Sequence, residues 1–209
     1  GGGNPAAVPA MQALFRERMQ DILSEPKLFD AMLGNYDVPQ GRPAFIDALV
    51  DFFREDYGWK IDRSNIGVMN GSQGAFFVLL NMLAGTMPDG KKKKIVLPLM
   101  PEYVGYADQG IEEGLFRAFR PSHEDIDAHS FKYHINFDEL VLGDDVAAVL
   151  VSRPTNPTGN VLTDEEISHL SALTKARGIP LIIDNAYGSP FPNIIFTKAS
   201  LIWDEHIVL

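Results

Sequence analysis

The sequence predicts an α/β fold built around a buried, mostly parallel sheet. Two observations carry this prediction. Short runs of continuous apolar residues alternate with stretches of helical periodicity, the pattern of a sheet covered on both faces. Polar clusters follow directly on three of these runs, after Met69, Val151 and Ile183, where open α/β sheets place their ligands.

Taken in chain order, residues 11–24 form an amphipathic helix, with Met11, Leu14, Phe15, Met19, Ile22 and Leu23 near helical spacing. A looser segment runs to Gly41. Residues 45–57 form a second helix, its apolar face drawn from Phe45, Ile46, Leu49, Phe52 and Phe53, and Gly58 is placed to end it. Residues 66–69 are the first strand expected, and a strongly apolar helix follows over 75–83. Further strands are expected at 94–97, 115–119, 146–151 and 180–183, with the start of another at 206–209. Between the last of the central strands, Thr163-Asp164-Glu165-Glu166 is a capping box opening a helix over 165–176, which Gly178 terminates.

Composition narrows the function classes. The 209 residues are 45% hydrophobic and 22% charged, enough apolar material for one sizeable core. A net charge of -10 repels phosphate backbones, so no nucleic-acid partner is expected. The cluster Lys91-Lys92-Lys93-Lys94 reads as a solvated loop before a strand. The absence of cysteine excludes disulfides, thiolate metal sites and cysteine nucleophiles, and it fits a reducing, cytoplasmic setting. No apolar run reaches the ~18 residues of a membrane span, so no membrane partner is expected. Dinucleotide, P-loop, zinc-protease and nucleophile-elbow motifs are absent. The histidines at 123, 129, 134, 169 and 206 are scattered without ligand spacing, and no metal site is expected.

Four polar clusters carry the candidate chemistry. Asn70-Gly71-Ser72-Gln73-Gly74 joins a strand to a helix. It reads either as an anion site, where free N–H groups meet the helix dipole, or as an ordinary cap on Ser72. Asp184 ends a buried strand, where an unpaired carboxylate is costly. It either caps the next segment or pairs with a protonated ring nitrogen. In Pro101-Glu102-Tyr103 the aromatic either stacks on a planar ligand or is simply a partly buried tyrosine. Pro154-Thr155-Asn156-Pro157-Thr158-Gly159 is a turn by composition, and its asparagine can donate to a ligand oxygen.

In this order, at the ends of successive strands, these clusters resemble the fold-type I pyridoxal-phosphate (PLP) aminotransferases. Asn156-Pro157-Thr158-Gly159 and Asp184-x-x-Tyr187 are the most specific pieces. The runs Gly1 to Pro5, Asn35-Tyr36-Asp37, Asn70 to Gln73, Pro101 to Tyr103, Ser152 to Asn160 and Ile183 to Phe191 are similar to family members that exchange an amino group between valine and pyruvate.

The resemblance implies a three-layer αβα large domain, incomplete at its C-terminal side. It divides the chain into an N-terminal segment with substrate and dimer-interface loops (1–41) and a truncated PLP-binding large domain (42–209). Ser72 and Gln73 would hold the cofactor phosphate, and Tyr103 would stack on the pyridine ring. Asn156 and Tyr187 would bond the phenolic oxygen, and Asp184 would keep the ring nitrogen protonated. Gly3 would lie by the substrate carboxylate, and Tyr36 would reach the phosphate of a partner subunit in a homodimer. The small-molecule partners would be an amino acid and a 2-oxo acid, with valine and pyruvate giving 3-methyl-2-oxobutanoate and alanine. The Schiff-base lysine of the family is expected beyond Leu209, so no catalytic residue is assigned within these 209 residues, and the chain alone is expected to be inactive. The strand expected between the first one and that at 206–209 would also follow Leu209. Other fold-type I activities, another aminotransferase or a C–S lyase, share this cofactor site. An aminotransferase-like PLP-sensing regulatory domain is the alternative of a different class.

Overall fold

The computed structural model describes residues 7–188 and 199–209. Five α-helices are found among them: α1 (Pro9–Ser24), α2 (Pro26–Gly34), α3 (Pro43–Tyr57), α4 (Ser72–Leu83) and α5 (Asp164–Arg177). The strands are β1 (Gly85–Thr86), β2 (Lys92–Leu97), β3 (Phe116–Ala118), β4 (Ser122–Asp125), β5 (Phe131–His134), β6 (Val146–Ser152), β7 (Leu181–Asp184) and β8 (Ile207–Val208).

The main sheet runs β2-β6-β7-β8, every neighbour parallel. The other edge of β2 pairs with β3 in parallel through Ile95–Leu97, and with β1 antiparallel through Lys92 and Lys93. Successive side chains along a strand point to opposite faces, and here both faces are apolar. Ile95, Leu97, Ala148, Leu150 and Ile182 pack with Phe76 and Leu80 of α4. Val96, Val149, Val151, Leu181 and Ile183 pack with Ile167 and Leu170 of α5. This is a three-layer αβα arrangement. Each fully buried side chain of this kind stabilises the fold by about 1.5–3 kcal/mol relative to exposure.

Helix ends follow local chemistry. Thr163 Oγ1 accepts from Glu166 N at 3.1 Å, and Glu166 Oε2 accepts from Thr163 N at 2.8 Å, the reciprocal box expected at the start of α5. Gly178 closes α5 with φ 64°, a left-handed conformation that glycine adopts without Cβ strain. Gly58 closes α3 in the same way.

Several elements differ from the sequence reading. Residues 66–69 are extended but join no sheet; the Val68 N–H donates to Gln40 O at 2.8 Å instead. A strand needs a neighbour to form its ladder, and the one the resemblance places beside it is not within these residues. The looser segment after Ser24 contains α2, opened by Pro26 at its first turn. β2 begins two residues earlier than expected and takes in Lys92 and Lys93, so part of the lysine cluster lies in a strand. The hairpin β4–β5 was not anticipated. Its register is antiparallel, and it is pinned to α5 through His134 Nδ1 and Glu166 Oε1 at 3.1 Å. α1 has no buried residue, and Met11, Leu14, Phe15, Met19 and Leu23 are exposed along it.

Candidate active site

The C-terminal ends of β2, β6 and β7 meet the N-terminus of α4 around a cavity of about 160 Å³. Ser72, Gln73, Tyr103, Asn156, Asp184 and Tyr187 line it, together with Ser152, Pro154 and Ala186. The structure thus brings together six positions that the sequence singles out separately. Tyr36 lies apart and is fully exposed. Gly3 lies outside the described residues. A larger open groove, about 920 Å³, adjoins the cavity and shares Pro154, Asn156 and Tyr187 with it.

The first wall is the start of α4. Its N-cap is Gly71, at φ 106°, rather than Ser72, and no side chain caps the helix. The first-turn N–H groups therefore have no intrahelical or capping partner, and the helix dipole adds partial positive charge there. The Gln73 side chain is held in place: its Oε1 accepts from Gln109 Nε2 at 2.5 Å. That bond ties the helix to the 3-10 turn Val104–Gln109, as does Asn81, which donates to Gln109 O at 2.6 Å.

The second wall is this 3-10 turn and the residues before it. Tyr103 stands half-buried at its start, edge-on to Tyr106 at 5.5 Å between ring centres. Gly105 lets the turn approach closely, because a Cβ there would overlap the Tyr103 ring and the Gln73 amide.

Asp184 forms the floor. Its Oδ2 accepts from Tyr106 Oη at 2.7 Å, and its Oδ1 accepts from Ala186 N at 3.1 Å. The bland reading, a carboxylate turned onto the following segment, accounts for one oxygen only. Beneath it lies Glu102, which sequence reasoning quoted but gave no role. Glu102 Oε1 accepts from Ser152 N at 3.0 Å, and its Oε2 shares a short hydrogen bond with the Ser152 hydroxyl. Burial raises its pKa from 4.5 to about 7, against the lowering effect of these bonds, and the Asp184 charge adds to the rise. Burial, and then the charge of Asp184, raise Tyr106 as well. Tyr106 was missed altogether. The signal was its place three residues after Tyr103, on the same side of a helical turn.

The third wall is the turn after β6. Arg153 is buried with three bonds: Nε to Leu162 O at 2.7 Å, one terminal nitrogen to Ser200 O at 2.7 Å, the other to Asp164 Oδ1 at 2.5 Å. It anchors the loop that presents Asn156. Its own main-chain N–H donates to Asp184 O at 2.9 Å, which fastens that loop to β7. Farther along, Thr155 N donates to Asn160 O at 2.8 Å and closes the turn.

A family model, aminotransferase class I and II, matches residues 15–194. The chain belongs to this family. Valine–pyruvate aminotransferase of Escherichia coli (strain K12) is 51% identical over all 209 residues, which make up 50% of its length. A crystal structure of valine–pyruvate aminotransferase from Salmonella typhimurium LT2 superposes with a TM-score of 0.85 at 49% identity, over 99% of this chain and 51% of that one. Asparagine–oxo-acid transaminase of Streptococcus mutans is more distant, 26% identical over 160 residues, with 76% of this chain and 38% of that protein covered. The chain spans about half the length, or less, of the curated relatives it matches.

The family depends on pyridoxal 5′-phosphate, and the donor set fits such a group. The uncapped start of α4 suits a phosphate, the Asp184 carboxylate suits a cationic ring nitrogen, and an aromatic and two polar side chains line the same cavity. Among the described residues no helix is long and apolar enough to cross a membrane, and no group of His, Asp and Glu is arranged to hold a metal ion.

Proposed function

We propose that this chain is the cofactor-binding part of an aminotransferase that moves an amino group between an amino acid and a 2-oxo acid, with valine and pyruvate as the pair. One observation carries this reading: Asp184 and the uncapped N-terminus of α4 face one cavity, with Tyr103, Asn156 and Tyr187 also lining it. The 51% identity to a valine–pyruvate aminotransferase supports the choice of substrates.

Pyridoxal phosphate, when bound, supplies an electron-withdrawing ring for the chemistry at the substrate α-carbon. The residues of this chain divide the work of holding it. The main-chain N–H groups of Ser72 and Gln73 bind the phosphate. Tyr103 covers one face of the ring. Asn156 and Tyr187 donate to the phenolic oxygen, and Asp184 holds a proton on the ring nitrogen. Gly3, outside the described residues, is assigned to the substrate carboxylate by the resemblance alone. The Schiff-base lysine lies beyond Leu209, within the length the relatives add. Residues 1–41 form the segment that completes the substrate and dimer contacts, and 42–209 belong to the large domain. The active form is a cytoplasmic homodimer in which Tyr36 reaches the partner's phosphate. The exposure of Tyr36 and of the apolar residues of α1 and α2 supports a surface of this kind.

The test is an amino-donor panel on the protein at the full length of its relatives, with the cofactor followed by absorbance. Valine and alanine are expected to convert the cofactor to its amino form. Failure with both, alongside turnover of other donors, removes the substrate pair and keeps the class. No spectral change on adding pyridoxal phosphate removes the reading as a whole.

A further inference from the structure

Gln109 ends the 3-10 turn Val104–Gln109 and is buried, only 8% exposed. Its main chain already fastens the turn to α4, because Asn81 Nδ2 donates to Gln109 O at 2.6 Å. Asn81 Oδ1 also accepts from Ile111 N at 2.9 Å, so the chain is clamped on either side of Gly110. That clamp does not use the Gln109 side chain. The side chain instead runs back along the helix to Gln73, about two turns before Asn81.

Donor counting gives the Gln109–Gln73 bond a polarity. Gln109 Nε2 lies 2.5 Å from Gln73 Oε1 and 3.2 Å from Gly105 O. A main-chain carbonyl can only accept, so the Gln109 atom between these two is the nitrogen, with one hydrogen for each. The Gln73 atom facing that nitrogen must then be the oxygen. This sets the Gln73 amide: its oxygen is turned to Gln109, and both Nε2 hydrogens are left without a protein partner among the described residues. A Cβ at Gly105 would overlap Gln73 Nε2 and the Tyr103 ring together, so the amide nitrogen stands beside that ring. Gln73 and Tyr103 both line the cavity, and Gln109 does not.

We propose that Gln109 is a positioning residue that makes the Gln73 side chain a hydrogen-bond donor to the cofactor phosphate. Turned the other way, the Gln73 amide would present its oxygen, which repels a phosphate. The bond from Gln109 selects the attractive end. The start of α4 supplies main-chain donors, and the oriented amide adds a side-chain donor to an ionised acceptor, the stronger kind of hydrogen bond. This rests on the cofactor site proposed above and deepens its phosphate end.

The experiment compares pyridoxal 5′-phosphate with pyridoxal, which lacks the phosphate, on the protein at the full length of its relatives. The Kd for each is read by equilibrium dialysis, with a melting curve for every apo variant. Gln109→Leu removes the orienting donor. It is expected to weaken pyridoxal phosphate about tenfold, the loss typical of a hydrogen bond to a charged group, and pyridoxal by less than about twofold. In a Gln73→Ala background Gln109→Leu is expected to add less than about twofold, because the side chain it orients is gone. Gln109→Met, equally apolar, replaces Gln109→Leu should the latter not fold. The inference is overturned if Gln109→Leu or Gln73→Ala binds pyridoxal phosphate as wild type does, if Gln109→Leu loses as much with pyridoxal as with the phosphorylated form, or if the Gln73 and Gln109 losses multiply. Wild-type protein that does not bind pyridoxal phosphate would instead overturn the cofactor site itself.

Discussion

The buried Glu102 carboxyl makes stability depend on pH in a window where few other groups act. Its pKa rises from an ordinary 4.5 to about 7 in the native protein, mainly through burial. At about 1.36 kcal/mol per pH unit, this corresponds to about 3 kcal/mol. The native state holds the proton more tightly than the unfolded chain does. The contribution is therefore complete below about pH 4.5 and is lost as pH rises through 7. Glu102→Gln keeps the shape and a donor but cannot ionise. The apo variant and wild type should be equally stable near pH 4.5, and the variant more stable by about 3 kcal/mol at pH 8. Urea unfolding of both proteins at half-unit steps, followed by tryptophan fluorescence, measures this difference. A difference that stays flat across the window, or that favours wild type at pH 8, would refute the reasoning. The lowered carboxylates, Asp62 and Asp164 among them, act at lower pH and are common to both proteins.

Other substitutions separate binding from folding. Asp184→Ala should weaken pyridoxal phosphate binding by about a hundredfold, since it leaves a desolvated cation without its partner; equilibrium dialysis on the intact protein checks this. Gly105→Ala should press the Tyr103 ring and Gln73 amide toward the cavity, lowering cofactor affinity with a change in Tm of only a few degrees. Arg153→Ala removes three bonds of a buried cation and leaves Asp164 without it; a loss of about 3–5 kcal/mol is expected by chemical denaturation. Thr163→Ala removes the α5 cap and should cost about 1 kcal/mol in the same measurement.

Legibility in the sequence followed the range of the interaction. The start and end of α5 were readable because each is local: Thr163 pairs with Glu166 at one end, and Gly178 bonds the turn just before it at the other. The strands β6 and β7 were readable because their apolar runs are unbroken. Residues 66–69 carry the same signal yet lie outside the sheet, since strand pairing depends on a distant partner that no local pattern encodes. The β4 strand, Ser122-His123-Glu124-Asp125, is polar throughout and exposed, so it showed no periodicity to read. In the site, the residues at strand ends could be listed one by one because polar residues there break an apolar run. Their convergence on one cavity could not, and neither could the pairing of Glu102 with Ser152 or of Tyr106 with Asp184, since the partners are far apart in sequence. The sequence assigns Arg153 no role, and the structure ties its side chain into the loop it anchors.

The doubly covered sheet has a consequence for how the chain finds its alignment. Sliding β7 along β6 by one position would exchange one greasy face for another, so oil-and-water sorting alone offers little correction against the slip. What breaks the tie is the polar punctuation at the far end, where Ser152 and Asp184 sit opposite each other across the ladder. A slipped strand would drive one of these hydrophilic groups into the interior. The side chains that face the ligand cavity thus also serve as index marks for the strands, and altering their polarity would threaten the phase of the sheet as well as its chemistry.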